Sequence, residues 1–214
     1  MRSLTPAGLA GEIAAAALRR RLGQHPVRVG IDGPVEADAG RLADDVAAAL
    51  RSDAVPVARV RARDFLRPRS LRLEHGPDDP DDFRAGWYDQ GALRRELLDP
   101  LGPGGSGRWL RRLRDPQTDR SVRSTAQPTV SGLVLVLDGR FLAAPALRPG
   151  IDLLVLLAVS PAARARRVPP DEANRVLPAW TDYLDAERPD RTADLVVRYD
   201  HPERPAVQDR DPIS

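Results

Sequence analysis

The chain has no cysteine and no lysine, and its three histidines, His25, His75 and His201, lie far apart without ligand spacing. The first absence excludes disulfides and thiolate metal sites and fits a reducing compartment, so the expected location is the cytoplasm. The second makes all 33 basic residues arginine, so any phosphate chemistry must rest on guanidinium groups. Long apolar runs are missing too. An alanine-rich stretch near the start is interrupted by Glu12 and is followed, not preceded, by Arg19-Arg20-Arg21, the reverse of a signal peptide's order. No other segment approaches the length of a membrane span, and no membrane partner is expected. With 31 acids spread among the arginines the formal net charge is only +2, which does not indicate a nucleic-acid surface. The length of 214 residues suits one α/β domain over residues 1–200, followed by a Pro- and charge-rich tail, 201–214, expected to fray.

What is present is organised around Val27–Leu50. A β-branched run, VRVGID, ends in Asp32-Gly33; a loop follows; then Leu42, Val46 and Leu50 recur at helical spacing. This is the strand–loop–helix layout of a phosphate-binding P-loop opening a parallel sheet. The chemistry of such a loop is nevertheless missing. The pattern G-x-x-x-x-G-K-[ST] supplies backbone N–H groups for phosphates, a Lys for the β/γ-phosphates and a hydroxyl for magnesium. Counted from Gly33, the second glycine position holds Asp38, the Lys position Ala39 and the Ser/Thr position Gly40. Arg41 is no substitute, because two residues along a helix turn a side chain by about 200°. Glu36 and Asp38 put carboxylates where a polyphosphate would lie, and like charges about 4 Å apart repel by roughly 1 to 4 kcal/mol. Asp38 is expected to cap the helix instead.

Apolar runs at Val55–Ala62, Leu133–Leu137, Leu153–Val159 and Asp194–Tyr199 read as four further strands. Helical patterns intervene from Thr5-Pro6 to about Leu22, over Ala92–Leu98, over Ala162–Val168 and over Asn174–Glu187. The Pro/Asp-rich Glu74–Asp82 reads as an irregular loop, and the arginine-rich Arg108–Gln127 as short strands or a hairpin. The expected fold is α/β, a P-loop NTPase-like three-layer arrangement with a mostly parallel five-stranded sheet. Ligands of such sheets sit beyond the carboxyl ends of the strands, which here carry Asp32, Arg63, Asp138 and Ser160.

Several segments together, VRVGIDG, RLADDVAAAL, DFLRPR, LDPLGPGG at Leu98–Gly105, VLDGRFL at Val136–Leu142, LPAWTDYL at Leu177–Leu184 and ADLVV at Ala193–Val197, resemble the uridine kinase family of P-loop kinases. The resemblance, to its bacterial nucleoside/phosphoribulokinase-like members, runs over nearly the whole chain. It implies ATP, magnesium and a small alcohol as reactants, with a general base after the second strand, a metal-binding acid at a later strand end and an arginine-bearing lid. Carried over by position, the base falls on Arg63, with Asp64 beside it, and the aromatic or His that follows falls on Leu66. The metal acid matches Asp138, and the lid matches Arg164, Arg166 and Arg167, cut short by Pro169-Pro170. Phosphoryl transfer is almost entirely positioning and charge stabilisation, so losing the cation, the metal hydroxyl and the base together removes most of it.

The leading expectation is therefore a uridine-kinase-like protein without ATP-dependent phosphotransfer, either a pseudokinase or a pocket turned to another small molecule at the strand ends, with no cofactor. Arg63 either touches that ligand or pairs with Asp38 or Asp64. The alternative is a working uridine-type kinase using ATP and magnesium, with Asp64 as base, Asp138 on the metal and arginines in place of the lysine. Self-association into a homo-oligomer is left open.

Overall fold

Val27–Asp32 (β2) runs through the middle of the molecule with all six residues buried. Alternating β-branched side chains, Val27, Val29 and Ile31, fill one face, a pattern that suits a pleated strand covered on both sides. The computed structural model describes residues 1–21, 25–34 and 37–208. Around β2 lie β1 (Arg2–Ser3), β3 (Val57–Arg61), β4 (Arg108–Trp109), β5 (Gln127–Pro128), β6 (Val134–Gly139), β7 (Leu153–Ala158), β8 (Leu195–Arg198) and β9 (Ala206–Val207). The main sheet has the order β1-β9-β8-β7-β2-β6-β3, and β4 and β5 form a separate antiparallel ribbon.

The five expected strands are all present and run parallel to one another. The sheet is wider than expected, with seven strands rather than five, because β1 and β9 add an antiparallel border. The chain after Asp200 therefore does not fray where it is described: Val207 is buried and pairs with Val197, and Leu4 N donates to Pro205 O at 2.8 Å. Two-residue strands carry no periodicity, so nothing in the sequence announced them. Residues 209–214 of the expected tail lie outside the described residues.

The helices are α1 (Pro6–Arg19), α2 (Ala39–Ser52), α3 (Arg69–Arg72), α4 (Gln90–Leu93), α5 (Pro161–Arg167), α6 (Ala173–Glu187) and α7 (Pro189–Thr192). Thr5 caps α1 by accepting from Gly8 N at 3.1 Å, with Pro6 in the first turn, where its missing N–H costs nothing. The expected extension of this helix to Leu22 ends at Arg19, and Leu22 itself is outside the described residues. One layer packs α1 and α2, through Leu9, Ile13, Leu42, Val46 and Leu50, on Val29, Ile31, Val136 and Val155. The opposite layer sets Phe65, Phe83, Leu97, Phe141, Trp180 and Tyr183 against Leu135, Leu137 and Leu156. Each such buried side chain contributes about 1.5 to 3 kcal/mol. Together the layers pin the strand ends that frame the site.

Gly139, at the end of β6, is required by a close approach: a Cβ built there would lie 2.6 Å from the Ala62 Cβ. Gly139→Ala should therefore force the ends of β3 and β6 apart and lower stability by about 1 to 3 kcal/mol. Urea unfolding checks this, and a parent-like midpoint would mean that the backbone yields freely at this point.

Candidate functional site

A cleft of about 680 Å³ opens at the carboxyl ends of β3 and β6, between the loop after β2, the start of α2 and the aromatic segment around residues 83–88. Its inner end is the phosphate-loop equivalent. Gly33 N donates to Gly139 O at 3.2 Å, which ties the loop to the end of β6. Asp38 adopts a left-handed conformation (φ 50°) and caps α2, its carboxylate accepting from Arg41 N at 3.3 Å. The N–H dipole end of α2 is thus already answered by a carboxylate of the chain itself. Ala39, Gly40 and Arg41 border the cleft, so Arg41 does not simply point away as its helical position implied, although its Nη1 also pairs with Glu203 at 3.3 Å. Glu36 lies outside the described residues.

Asp138, the acid assigned to a metal by the resemblance, is held by an arginine the sequence reading did not single out. Arg59, on the neighbouring strand β3 and 8% exposed at its side chain, brings Nη1 within 2.5 Å of Asp138 Oδ1. Its Nε donates to Asp44 at 2.7 Å, its Nη2 to Gly40 O at 3.1 Å and its Nη1 to Val60 O at 2.6 Å. The guanidinium therefore bridges the first turn of α2 and the end of β6. Burial pushes the Asp138 carboxyl up, and the charge of Arg59 opposes that rise.

Magnesium needs near-octahedral oxygen ligands. Here the hydroxyl position is Gly40, the one matching carboxylate has a cation against it, and no cluster of three metal-binding side chains occurs among the described residues. The residues present do not fit the ion.

Arg63 borders the cleft, and its side chain makes no hydrogen bond or close ion pair among the described residues, although its charge acts on the Asp64 carboxyl. Asp64 faces the other way. It borders a separate groove, its backbone carbonyl accepts from Leu113 N and Arg114 N at 3.0 Å each, and burial raises its carboxyl against the pull of Arg61, Arg63 and Arg112.

The lid arginines all lie on α5, and none of them borders the cleft. Arg164 is buried, Arg166 is exposed, and Arg167 donates to the Asp200 carbonyl. Two other arginines border it, Arg175, paired with Glu172 at 2.8 Å, and Arg140, the residue after β6.

Arg140 lies 4.2 Å above the Phe83 ring and Arg175 5.3 Å from that of Trp87, and the Tyr88 hydroxyl accepts from Arg140 Nε at 3.4 Å. Guanidinium groups over ring faces are electrostatically favoured. The outer end of the cleft is thus aromatic and cationic, while its inner end carries Asp38, Asp44 and Asp45. The readable signal was local: Phe83, Trp87 and Tyr88 in one short stretch, and an arginine directly after Asp138-Gly139. Phe141 then takes a left-handed conformation (φ 61°), a strain of about 1 to 3 kcal/mol. It turns into the core against Trp180 and Tyr183, while Arg140 stays in the cleft.

The other two strand-end residues are structural. Ser160 caps α5, accepting from Ala163 N at 3.3 Å. Asp32 is fully buried and accepts from the Tyr183 hydroxyl, which in turn accepts from Ala143 N at 2.9 Å. Burial raises the Asp32 carboxyl to about 7, with the Tyr183 bond opposing.

A central parallel sheet flanked by helices, with the cleft at its strand ends and a glycine-started loop into α2, defines the fold of the P-loop kinases. Solved structures bear this out. A protein described as a possible uridine kinase from Bacillus stearothermophilus superposes with a TM-score of 0.71 at 21% identity, over 87% of this chain and 96% of that one. A protein described as a candidate fructose transport system kinase from Silicibacter sp. TM1040 follows at 0.63 and 19%, over 86% and 95%. D-glycerate 3-kinase from Cryptococcus neoformans var. grubii gives 0.55 and 16%, over 83% and 88%. No family model matches the sequence, and no curated protein is significantly similar to it. At these identities the likeness is one of fold.

Proposed function

We propose that this chain uses the P-loop kinase fold to hold a small molecule at its strand ends and does not transfer phosphate from ATP. The observation that carries this reading is the Arg59 guanidinium, 2.5 Å from Asp138 and hydrogen-bonded to Gly40 O, in the space between the two positions a kinase of this fold would use for its metal. The carboxylate cap of Asp38 supports it, since the helix end that would receive phosphate is already satisfied. A working kinase would need Asp64 as base and Asp138 on magnesium; Asp64 borders another groove and Asp138 is engaged by Arg59.

The ligand that suits the outer cleft is a carboxylate- or phosphate-bearing molecule with an apolar body, its charge met by Arg63, Arg140 and Arg175 and its body by Phe83, Trp87 and Tyr88. The phosphoryl acceptors named for the similar structures, a nucleoside, a hexose and glycerate, define the first probes, each tried with and without a phosphate group.

Titration calorimetry with ATP and magnesium is expected to show no saturable heat at submillimolar ATP. Thermal shift with the acceptor panel is expected to raise the melting temperature for an anionic member, because a ligand at about a hundred times its Kd adds about 2.7 kcal/mol. Micromolar, magnesium-dependent ATP binding by the unmodified protein would overturn the proposal. Repair follows the same logic. Ala39→Lys alone should stay inert, since groups acting as a unit are strongly non-additive. Asp38→Gly, Ala39→Lys, Gly40→Thr and Arg63→Asp combined should recover weak ATP binding, and magnesium should strengthen it only once Arg59 is also replaced.

A further inference from the structure

A second concavity, about 1190 Å³, lies along the outer edge of β3, between that strand and the arginine-rich chain over residues 111–128. Seven arginines border it against three aspartates. The side chains of Arg51, Arg63, Arg111, Arg112 and Arg123 make no hydrogen bond or ion pair among the described residues, although guanidinium groups elsewhere in this protein are mostly paired. The three acids, by contrast, are committed. Asp44 is bound by Arg59 at 2.7 Å and Arg61 at 3.5 Å, and Asp115 accepts from Gln117 N and Thr118 N at 2.8 and 3.2 Å. Asp64 lies under the pull of Arg61, Arg63 and Arg112, against which burial raises its carboxyl. The net charge of +2 for the whole chain conceals this concentration of cations on one side.

Guanidinium groups present a planar fork of N–H donors that matches phosphoryl oxygens two at a time. Gathering several unpaired ones in one concavity raises the local potential, and each bare neighbour destabilises the others until an anion enters. The shape of the groove narrows the class of anion. No Phe, Trp or Tyr borders it, so it offers no stacking platform of the kind that single-stranded nucleic acids use. Its polar lining beyond the charges consists of Gln117, Ser124, Thr125 and Gln127, which suit oxygen-rich ligands.

We infer that this groove binds a compact molecule carrying several phosphoryl groups and no aromatic base, held by Arg111, Arg112 and Arg123 on one wall and Arg61 and Arg63 on the other. Inorganic polyphosphate and phosphorylated sugars share that chemistry. The site is distinct from the cleft of the proposed function, although Asp44, Arg61 and Arg63 border both.

The test is calorimetry with inorganic tripolyphosphate and, in parallel, a hexose bisphosphate, on the parent and two variants. Arg111→Ser/Arg112→Ser touches only the groove, and Arg140→Ser only the cleft. Both residues of the first pair are exposed, so the fold should survive, and circular dichroism checks it. Tripolyphosphate should bind the parent, weaken steeply with added salt, lose about tenfold or more in the Arg111/Arg112 variant and be unchanged in Arg140→Ser. Tighter binding of the bisphosphate would assign the sugar as the source, and tighter tripolyphosphate the inorganic chain. Loss of binding in Arg140→Ser alone would move the anion to the cleft and overturn the inference while leaving the proposed function intact. Equal, weak binding of sulfate and tripolyphosphate, or oligothymidylate outcompeting both probes, would also overturn it.

Discussion

Raising the pH from about 4 to about 8 is expected to cost the folded protein roughly 4 kcal/mol of stability, lost evenly between pH about 4 and about 7, and Asp32→Asn should remove most of that dependence. Asp32 is fully buried at the end of the central strand, and burial lifts its carboxyl from the ordinary 3.8 to about 7. A carboxyl raised on folding makes the folded state the one that binds the proton more tightly. Its contribution is complete below pH about 4 and disappears as the pH rises through about 7. At about 1.4 kcal/mol per pH unit the displacement amounts to roughly 4 kcal/mol. Asp64 and Asp138, also raised by burial, act in the same direction. Asp119 and Asp200, held below the ordinary value by hydrogen bonds, act oppositely, but only in the acid range where they themselves protonate. Urea unfolding followed at pH 5, 6, 7 and 8 reads this out. Asp32→Asn keeps an acceptor for the Tyr183 hydroxyl and removes the titration. A parent profile flat between pH 5 and 8 would show that the pair shares its proton in some other way.

The second large effect concerns Arg59. Arg59→Met should destabilise the protein by about 3 to 5 kcal/mol, because it leaves the buried Asp138 carboxylate without its cation and Gly40 O without its donor. Arg59→Met combined with Asp138→Leu should recover most of that loss, since an apolar pair of similar volume removes the uncompensated charge as well. The double-mutant cycle separates the pair from its surroundings, in particular from the bond between Arg59 and the half-exposed Asp44. A cost below about 1 kcal/mol for the single variant, in the range of exposed pairs, would mean that water reaches Asp138 freely. A stabilising response of Arg59→Met to magnesium would show that the arginine, rather than the missing hydroxyl, is what keeps a metal away.

The main sheet was legible because its five long strands are apolar and β-branched and the intervening helices carry clear periodicity and caps. Asp38 as the α2 cap followed from helix geometry alone. The border strands were not legible, since β1 and β9 are two residues each and owe their pairing to the folded neighbours. Part of the site was not legible in the sequence, for a physical reason. A motif comparison asks what occupies the expected positions, and so it found Ala39, Gly40 and Arg63. It does not ask which distant side chain fills the space they vacate. Arg59 sits mid-strand, where alternation merely says that it faces one layer, and only the sheet register brings it beside Asp138. Arg164 is buried and Arg167 donates to the chain after β8, so neither borders the cleft, whereas Arg175, beyond the proline pair, does.

Arg61 and Arg63 form a common wall between the cleft and the groove. A guanidinium drawn toward an anion on one side is withdrawn from the other, so the two compartments are thermodynamically linked through the same pair of side chains. Linkage is reciprocal: whatever factor an occupant of the groove imposes on affinity in the cleft, an occupant of the cleft imposes on the groove. With two charges to share, that factor is below one for a pair of anions and above one when the cleft holds a cation, so the sign of the coupling reports the charge of a ligand before its identity is known.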